Sequence, residues 1–507
     1  MTNGEPYELP EKWVWTSLGE IGEVITGNTP SKSDKENYGH HIPWVKPPDL
    51  DKDRPIMETA EMLSKKGADH ARVLPPGAVL VSCIGILGKV GIAGTMLASN
   101  QQINSIILHT PILSKYCYFY CKSKVFREWL QSRSSATTVP IINKSRFLKG
   151  PFPLAPVREQ ARIVTKVEGL LDQLNSAKEA LQGIPLIIRQ FRQSVLARAF
   201  RGELTERDPN DESAEKLLER MNYERSKTSK EETRRKGETS KKLKYEEIRP
   251  DHSDLPHLPQ GWVWIRLHQL LREQLRNGKS ALPSESSHGI PVLRLSAVTF
   301  KDFGPSNIKL CALEKADVTD LWVKPHDILV ARSNTSEYVG MAAIYEGPGD
   351  LFTFPDLMIR VRADEQVILS KFLAAFMDSA SARDYFRERA GGTAGSMPKI
   401  SQTDIENLPI PLAPINEQDQ IVKKIQDTLT RADVVELSVQ EGIRKATLLE
   451  RSVLARTFRG KLVSQDPNDE PASVLLGRIR AQRTTVAKRG KHRLEEFAGP
   501  ATITPKA

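Results

Sequence analysis

Cysteine is scarce in this 507-residue sequence, and its four copies show no spacing typical of a disulfide framework or a zinc site. This scarcity indicates a reducing compartment and argues against a fold that depends on a metal. The segment Met1–Pro10 is polar and acidic, without the basic stretch and apolar run of a signal peptide. We therefore expect a cytoplasmic chain that holds no metal ion.

Long apolar runs are also absent, which argues against a membrane partner. The nearest candidate is Ala78–Ser99, but Lys89 lies at its centre, where a charge costs about 2.5 to 3.5 kcal/mol in a bilayer. A similar stretch later in the chain contains Asp327, Arg332 and Glu337. Both stretches are better interpreted as buried strands joined by a turn.

Catalytic signatures are missing as well. The glycines around Lys89 resemble a phosphate-binding loop, but the lysine is followed by Val90 instead of Ser or Thr. The sequence shows no strand-associated GxGxxG, no HExxH, no GxSxG, and no HxE with PCxxC. The Asp/Asn-Pro-Pro-aromatic signature of adenine methyltransferases is absent too. We predict a non-catalytic chain with no catalytic residue and no cofactor of its own.

What the sequence does contain is a duplication. Two short motifs and one longer segment recur, with offsets of 249 residues for the first motif and 258 for the second, so the second copy is nine residues longer between them. The longer segment is identical at 14 of 19 positions. The matching segments are Leu9–Trp15 with Leu258–Trp264, Pro153–Pro156 with Pro411–Pro414, and Ser194–Glu212 with Ser452–Glu470.

Each copy has the same internal order. A region with short apolar runs, broken by Gly and Pro, predicts a mixed α/β (α+β) globule, and a long helix follows it. After the first helix comes a densely charged stretch, predicted as a short helix over Ser213–Arg225 and a flexible linker. We predict a globule at 1–155, a helix region at 156–203, a charged helix and linker at 204–255, a second globule at 256–413, a second helix region at 414–461, and a C-terminal helix with a basic tail at 462–507.

Apolar residues in both long helices alternate at spacings of four and three, as a coiled-coil seam requires. Two related helices in one chain are natural partners, and antiparallel pairing would give a pseudo-twofold arrangement. The alternative is that each helix lies only on its own globule. The predicted seam consists of Ile163, Val167, Leu170, Leu174, Ala177, Leu181, Ile421, Ile425, Ala432, Val435 and Val439.

The predicted length of the helix suggests a spacer. Pro156–Leu181 would span roughly 39 Å at 1.5 Å per residue, close to the 34 to 36 Å or so of one DNA turn. Gly183–Pro185 predicts that the first helix stops and restarts there. The net charge of +10 suits a polyanionic partner, although a solvated surface explains it equally well.

This arrangement resembles the specificity (S) subunit of type I restriction-modification systems. Both globules begin with Leu-Pro-x-x-Trp-Val-Trp and end with Pro-Leu-Ala-Pro-x-x-Glu-Gln-x-x-Ile-Val before the helix, and Ile25–Ser31 with Ile42–Lys46 looks like the start of that family's target-recognition domain. The resemblance implies that each globule reads half of a split site in double-stranded DNA and that the paired helices act as a ruler. It also implies two methyltransferase (M) subunits and endonuclease/translocase (R) subunits as partners. S-adenosylmethionine, ATP and Mg would then be bound by those partners.

The two copies share a framework but differ in their loops, which predicts an asymmetric bipartite target. Two rival hypotheses are a self-sufficient DNA methyltransferase or nuclease, and a duplicated coiled-coil scaffold that binds only proteins. Because Arg and Lys read guanine while Asn and Gln read adenine, polar loop residues are the candidates for base contacts. The candidate DNA-binding residues are Lys46, Lys89, Gln101, Gln102, Asn104, Arg294, Arg332, Asn334, Tyr338 and Lys399.

Overall fold

The computed structural model describes residues 6–135, 139–236, 255–284, 289–392 and 397–497. These residues form two units. The first unit comprises Met1–Gln182 and Gln440–Ala507, and the second comprises Gly183–Val439. Each unit therefore combines one predicted globule with parts of both long helices. Most of the predicted linker, residues 237–254, lies outside the described residues.

In the first unit, three small sheets form the globule. Their strand orders are β2-β9-β6-β7, β4-β3-β8-β5 and β1-β10, and only the β3–β8 pair is parallel. The strands are β1 (Val14–Ser17), β2 (Gly22–Thr26), β3 (Tyr38–Val45), β4 (Met62–Leu63), β5 (Val73–Leu74), β6 (Val79–Ser82), β7 (Val90–Ile92), β8 (Leu97–Ser99), β9 (Ile103–Leu108) and β10 (Pro151–Leu154). The helices of this globule are α1 (Leu18–Ile21), α2 (Lys65–Asp69), α3 (Ser114–Lys122), α4 (Lys124–Arg133) and α5 (Lys144–Phe147).

The second unit contains the corresponding globule, with strand orders β12-β17-β15-β16, β13-β14 and β11-β18. Its strands are β11 (Val263–Arg266), β12 (Arg276–Asn277), β13 (Ile290–Leu293), β14 (Ile308–Cys311), β15 (Ile328–Ala331), β16 (Ala342–Ile344), β17 (Met358–Val361) and β18 (Pro409–Leu412). Its helices are α8 (Ser296–Thr299), α9 (Ser370–Met377), α10 (Ala380–Arg389) and α11 (Gln402–Glu406). The long helices are α6 (Val157–Ala199) and α12 (Ile415–Phe458), and they are followed by α7 (Ala214–Lys236) and α13 (Ala472–Phe497).

The apolar runs that the sequence suggested as buried strands are the central strands of the two main sheets. Side chains alternate between the faces of a strand, so Val79 and Val81 join the core beneath α3 and α4, while Leu80 joins the core on the other face. Ile328 and Leu329 divide between two cores in the same way in the second unit. Both faces are covered, which explains why these strands are continuously apolar. Within the described residues, no helix is long and apolar enough to span a membrane.

The repeated motifs at the two ends of each globule meet in space. β1 pairs antiparallel with β10, and β11 pairs with β18. In the first unit the indole Nε1–H of Trp13 donates to Glu159 Oε2 at 2.9 Å, and in the second unit Trp262 donates to Glu417 Oε2 at 2.8 Å. All four side chains are buried. These motifs therefore join each globule to the start of its long helix.

A buried glutamine strengthens each of these junctions. Gln418 accepts a hydrogen bond from the Leu369 backbone N–H at 2.9 Å and donates to the carbonyls of Val367 and Ala413. Gln160 accepts from the Leu113 N–H at 3.1 Å and donates to the Ala155 carbonyl. Both glutamines are fully buried, so their removal would leave backbone groups unpaired.

We expect Gln418→Leu to lower the free energy of unfolding of the second unit by about 1 to 3 kcal/mol, because buried backbone groups would lose their partners. Gln160→Leu should have a similar effect on the first unit. Urea denaturation measures both changes. Gln173→Leu, on the exposed side of α6, is the control, and equal stability of Q418L and Q173L would contradict this role.

Within each unit the two long helices run antiparallel. In the first unit Lys178 Nζ lies 2.7 Å from Glu450 Oε2, and a Cβ atom at Gly442 would lie 3.0 Å from Leu181 Cδ1. In the second unit Arg192 pairs with Glu436 at 3.1 Å and with Asp433 at 2.6 Å, and Thr205, which follows α6, lies 3.2 Å from Glu417 near the start of α12. As the residue number rises along α6, the number of the contacting residue on α12 falls, which is expected of antiparallel helices.

The predicted seam needs two corrections, and they fall at equivalent positions. Ala177 and Val435 are exposed, so both assignments are wrong. The seam passes instead through the next residues along the chain, Lys178 and Glu436, which form the ion pairs between the helices. The prediction followed apolar residues and could not identify charged seam positions.

The remaining predicted seam residues are buried or half-buried. Ile163 and Val167 join the core of the first globule, and Ile421 and Ile425 join that of the second. The first turns of each helix therefore lie on its own globule, as the alternative interpretation proposed. The others are half-buried or buried farther along the helices, namely Leu170, Leu174, Leu181, Ala432 and Val439.

The predicted stop at Gly183–Pro185 is wrong, because α6 runs without a break through Pro185 and is 43 residues long in total. A proline inside a helix removes one backbone hydrogen bond and costs about 3 kcal/mol or more. The buried side chain of Ile188, one turn later, supplies packing that opposes this cost. The helix predicted over Ser213–Arg225 is also longer than expected, since α7 extends to Lys236.

In each unit, the segment that follows a long helix packs on the globule of the other repeat. In the first unit Phe458 lies 5.4 Å from Tyr116 between ring centroids, and Leu475 joins the same core. In the second unit Phe200 lies 5.3 Å from Phe372, and Leu217 joins that core. Each globule is therefore completed by residues from the other copy of the duplication.

Candidate nucleic-acid interface

Three loops meet at one end of the main sheet in the first unit. They are the β6–β7 hairpin loop, the β8–β9 turn and the segment between α4 and α5. The Cys83 N–H donates to the Gln102 carbonyl at 2.7 Å, and the Gly85 N–H donates to the Pro140 carbonyl at 3.0 Å. We call the described residues of 83–89, 100–102 and 134–142 the first loop edge.

The second unit has an equivalent surface. The Arg332 N–H donates to the Leu357 carbonyl at 2.8 Å, and Arg332 in turn accepts from the Ile400 N–H at 3.0 Å. We call the described residues of 332–341, 355–357 and 391–400 the second loop edge. Its hairpin loop between β15 and β16 has ten residues, against seven between β6 and β7.

A glycine brings one further segment against each loop edge. A Cβ atom at Gly27 would lie 2.2 Å from the Ser99 carbonyl oxygen, and one at Gly278 would lie 2.1 Å from the Phe354 carbonyl oxygen. No other residue fits so close to a backbone. The chain then continues as Asn28 in the first unit and as Lys279 in the second, so a framework held in common presents unlike side chains.

Most of the candidates in the first globule lie at or beside its loop edge. Lys89 and Gln102 are half-buried there, and Gln101 is exposed. Lys46 follows β3 next to the β8–β9 turn, but its ammonium pairs with Glu61. A Lys46 contact with DNA would therefore have to displace this carboxylate.

The prediction that Asn104 contacts DNA needs correction. Its side chain is buried within β9 and accepts a hydrogen bond from Thr26 Oγ1 at 2.6 Å. Only 2% of its surface is exposed, so it has no access to a base. The sequence showed a polar cluster before β9, but not where that cluster passed from the turn into the sheet.

In the second unit, four candidates belong to the loop edge itself. Arg332 is half-buried, and its guanidinium makes no hydrogen bond or ion pair with any described residue. Asn334 and Tyr338 lie in the same hairpin loop and are half-buried, whereas Lys399 is exposed. Arg294 lies outside the loop edge, after β13, and is exposed.

The sequence did not single out a group of cations beside the first loop edge. Arg127 lies next to the hairpin, where a Cβ atom at Gly88 would be 3.2 Å from its Cγ. Arg146 donates to the Arg133 carbonyl at 3.3 Å. The side chains of Arg127, Arg133, Arg146 and Lys144 are exposed, and none forms an ion pair within the described part of the chain. They add positive charge beside the first loop edge, which suits a polyanionic partner.

The equivalent arginine of the second globule has a different role. Arg383 is buried and donates to the carbonyls of Glu337 and Val339, each at 2.8 Å. Burial lowers the pKa of its guanidinium to about 10. Arg383 therefore positions the longer hairpin loop, and the sequence offered no signal to distinguish it from the exposed Arg127.

Comparisons with known proteins agree with this organisation. The family model described as "Type I restriction modification DNA specificity domain" matches residues 10–184 and 288–437, which is more than half of the chain. The specificity subunits of the type I restriction enzymes EcoKI from Escherichia coli (strain K12) and StySPI from Salmonella potsdam are each 25% identical to this chain. Each alignment covers 94% of this chain and 96% of the relative.

Two solved structures share the fold. One comes from a study titled as the structural basis of complex assembly and conformational transition of the type I R-M system. It has a TM-score of 0.64, 18% identity, and coverage of 90% of this chain and 100% of that one. The other is the HsdS subunit from Thermoanaerobacter tengcongensis, with a TM-score of 0.53, 18% identity, and coverage of 91% and 100%.

Proposed function

The chain belongs to the type I restriction-modification DNA specificity family, and from that premise we propose that it is the non-catalytic subunit that recognises the DNA sequence in such a complex. The observation that carries this proposal is the pair of loop edges. A four-stranded main sheet and the strand pair that joins the two ends of the globule recur in both units, while the side chains at the loop edges differ. A framework built twice with unlike surfaces suits two unlike half-sites.

The proposal predicts an asymmetric bipartite target. Selection of binding sites from random duplexes by the full chain, with its methyltransferase partner if the chain alone binds weakly, should return two different half-sites separated by a fixed gap. Binding should weaken steeply with salt, because phosphate contacts release counterions. A palindromic consensus, or binding that is insensitive to salt, would contradict the proposal.

Partner docking is the second part of the proposal. Large apolar side chains are exposed on both long helices. Exposed apolar patches are typical of surfaces that bind another protein. In the second unit they lie at the level of the Arg192–Asp433 ion pair, and two more lie on α12 in the first unit. They are Leu186, Ile187, Phe191, Val434, Val435, Leu437, Leu448 and Leu449. We assign the exposed apolar side chains of each unit to contacts with the methyltransferase (M) subunits.

The endonuclease/translocase (R) subunits would join this complex. S-adenosylmethionine, ATP and Mg would then be bound by those partners, in the cytoplasm. All four cysteines of the chain are free and buried, which suits a reducing compartment. Binding of S-adenosylmethionine by the purified chain alone would instead support the rival hypothesis of a self-sufficient methyltransferase.

We expect the double variant Phe191→Ser with Leu437→Ser to weaken binding of the methyltransferase subunit at least tenfold, because two exposed apolar contacts would be lost. DNA binding by the chain alone should not change. Calorimetric titration with the purified methyltransferase measures the effect, and Gln190→Ser, an exposed neighbour on α6, is the control. Unchanged affinity in the double variant would exclude this part of the helices as the docking surface.

A further inference from the structure

A cleft of about 830 Å³ lies in the second unit beside β12 and β17, with Trp322 in its wall. This volume is within the range of about 300 to 1,000 Å³ that is typical of small-molecule sites. Five cationic side chains and three carboxylates line the cleft. The cations are Arg276, Lys315, Lys324, Arg360 and Arg362.

The inner part of the cleft is an ionic network that joins the buried Arg360, the half-buried Arg362 and the exposed Glu273. Arg360 donates to Glu273 Oε1 at 2.9 Å, and Arg362 donates to Asp327 Oδ2 at 2.9 Å and to Glu273. Arg360 is almost fully buried, and its Nε–H has no hydrogen-bond partner among the described residues. A buried donor without a partner is unfavourable unless a ligand or water satisfies it.

The rim of the cleft carries cations without counterions. Arg276, Lys315 and Lys324 are exposed, and none forms an ion pair with a described residue. Glu273 and Asp327 are already engaged by Arg360 and Arg362. The other two carboxylates of the lining, Asp320 and Asp350, are exposed and form no ion pair with a described residue. The rim therefore carries three cations against two carboxylates, above an inner network that is largely neutralised.

The first globule shows that the fold does not need these arginines. Arg276 lies opposite Arg360 in the strand register, and the equivalent pair in the first globule is Ile25 opposite Ser105. Ile107 stands at the position that matches Arg362, two residues farther along the strand. Arg360 buries a guanidinium where the first globule buries the small Ser105, and this burial costs desolvation energy. Function explains their presence better than folding does.

We propose that this cleft is a phosphate-binding site, occupied by the phosphate of a free nucleotide or by a phosphate of the DNA backbone. The exposed guanidinium of Arg276 can bind phosphate with two parallel hydrogen bonds, and the rim lysines add point charges. Trp322 provides an aromatic surface on which a base can stack. The free-nucleotide form is independent of the proposed function, whereas the DNA form rests on it.

The test uses the full chain with the triple variant R276Q/K315Q/K324Q, whose substitutions are exposed and leave the inner ionic network intact. The control is K423Q/K424Q/R431Q, which removes the same charge from exposed positions on α12. Calorimetric titration with adenosine 5′-monophosphate and with inorganic phosphate tests the first source. The slope of log affinity against log salt for a DNA duplex tests the second.

A loss of nucleotide binding of tenfold or more in the triple variant alone identifies a free nucleotide. A salt slope that is shallower by up to roughly 2.7 in the triple variant alone, at about 0.9 per phosphate contact, identifies the DNA backbone. If the triple variant and the control behave alike in both assays, the cleft is not a phosphate site. If the unmodified chain and its partner fail to bind DNA selectively, the proposed function falls, while the nucleotide titration still tests the cleft.

Discussion

Leu475→Asp is expected to unfold the globule of the first repeat while the globule of the second repeat stays folded. Leu475 belongs to the second repeat in sequence, yet its side chain is buried in the core of the first unit. Truncating a buried leucine costs about 2 to 5 kcal/mol, and an unpaired buried charge adds several more. This loss is comparable with the whole stability of a domain, about 5 to 15 kcal/mol.

The matched variant is Leu217→Asp, which should unfold the second globule and spare the first. Hydrogen exchange followed by mass spectrometry distinguishes the two, because β6 reports on the first unit and β15 on the second. The control is Val474→Asp, at an exposed neighbour of Leu475. In this variant both strands should be as well protected from hydrogen exchange as in the unmodified chain. Loss of protection in β15 for L475D would show that each segment packs on its own globule.

Arg332→Ala should relax specificity at one base of one half-site. If the unpaired guanidinium of Arg332 reads guanine at the second loop edge, its removal costs about 1 to 3 kcal/mol at that base, roughly a 5- to 150-fold loss of discrimination. The other half-site should be recognised unchanged, because the first loop edge is intact. Site selection with R332A, compared with the unmodified chain, measures this effect.

The control for Arg332 is Arg431→Ala, which removes an exposed arginine from α12. It should preserve both half-sites. If R332A weakened binding equally on all sequences, Arg332 would be a phosphate contact and its role in base recognition would be wrong.

The sequence predicts the framework well because the framework is repeated. Apolar runs such as Ala78–Val81 and the alternation along the long helices give direct signals of buried strands and paired helices. The duplication doubled each signal, so the motifs around Trp13 and Trp262 could be matched before any contact was known. The family resemblance, which rests on the same motifs, is confirmed by the comparisons.

The packing of each final segment on the other globule was not predicted, because periodicity shows that a helix face is buried but does not show against what. Leu475 and Leu217 occupy equivalent positions in sequence, and nothing local assigns either to a globule. The same limit explains the seam errors at Ala177 and Val435. At both places the prediction selected an apolar residue, whereas the charged residue next to it in sequence forms the contact between the helices.

Base-reading residues are the least predictable part of the site. Asn104 is buried in a strand and Lys46 is paired with Glu61, although both looked like polar loop residues in the sequence. Conversely, the cations around Arg127 come from two separate helices, α4 and α5, so no local pattern marks them. Exposure at a loop edge depends on tertiary contacts that a single sequence does not encode in any short motif.

Adenine-methylome sequencing tests the central claim most directly. A strain that carries the cognate methyltransferase should be sequenced with and without this chain. We predict that one split, asymmetric adenine-methylated motif is present only with the chain, and that both L475D and L217D abolish it. A methylome that is identical with and without the chain, or a motif that is one uninterrupted palindrome, would contradict the account.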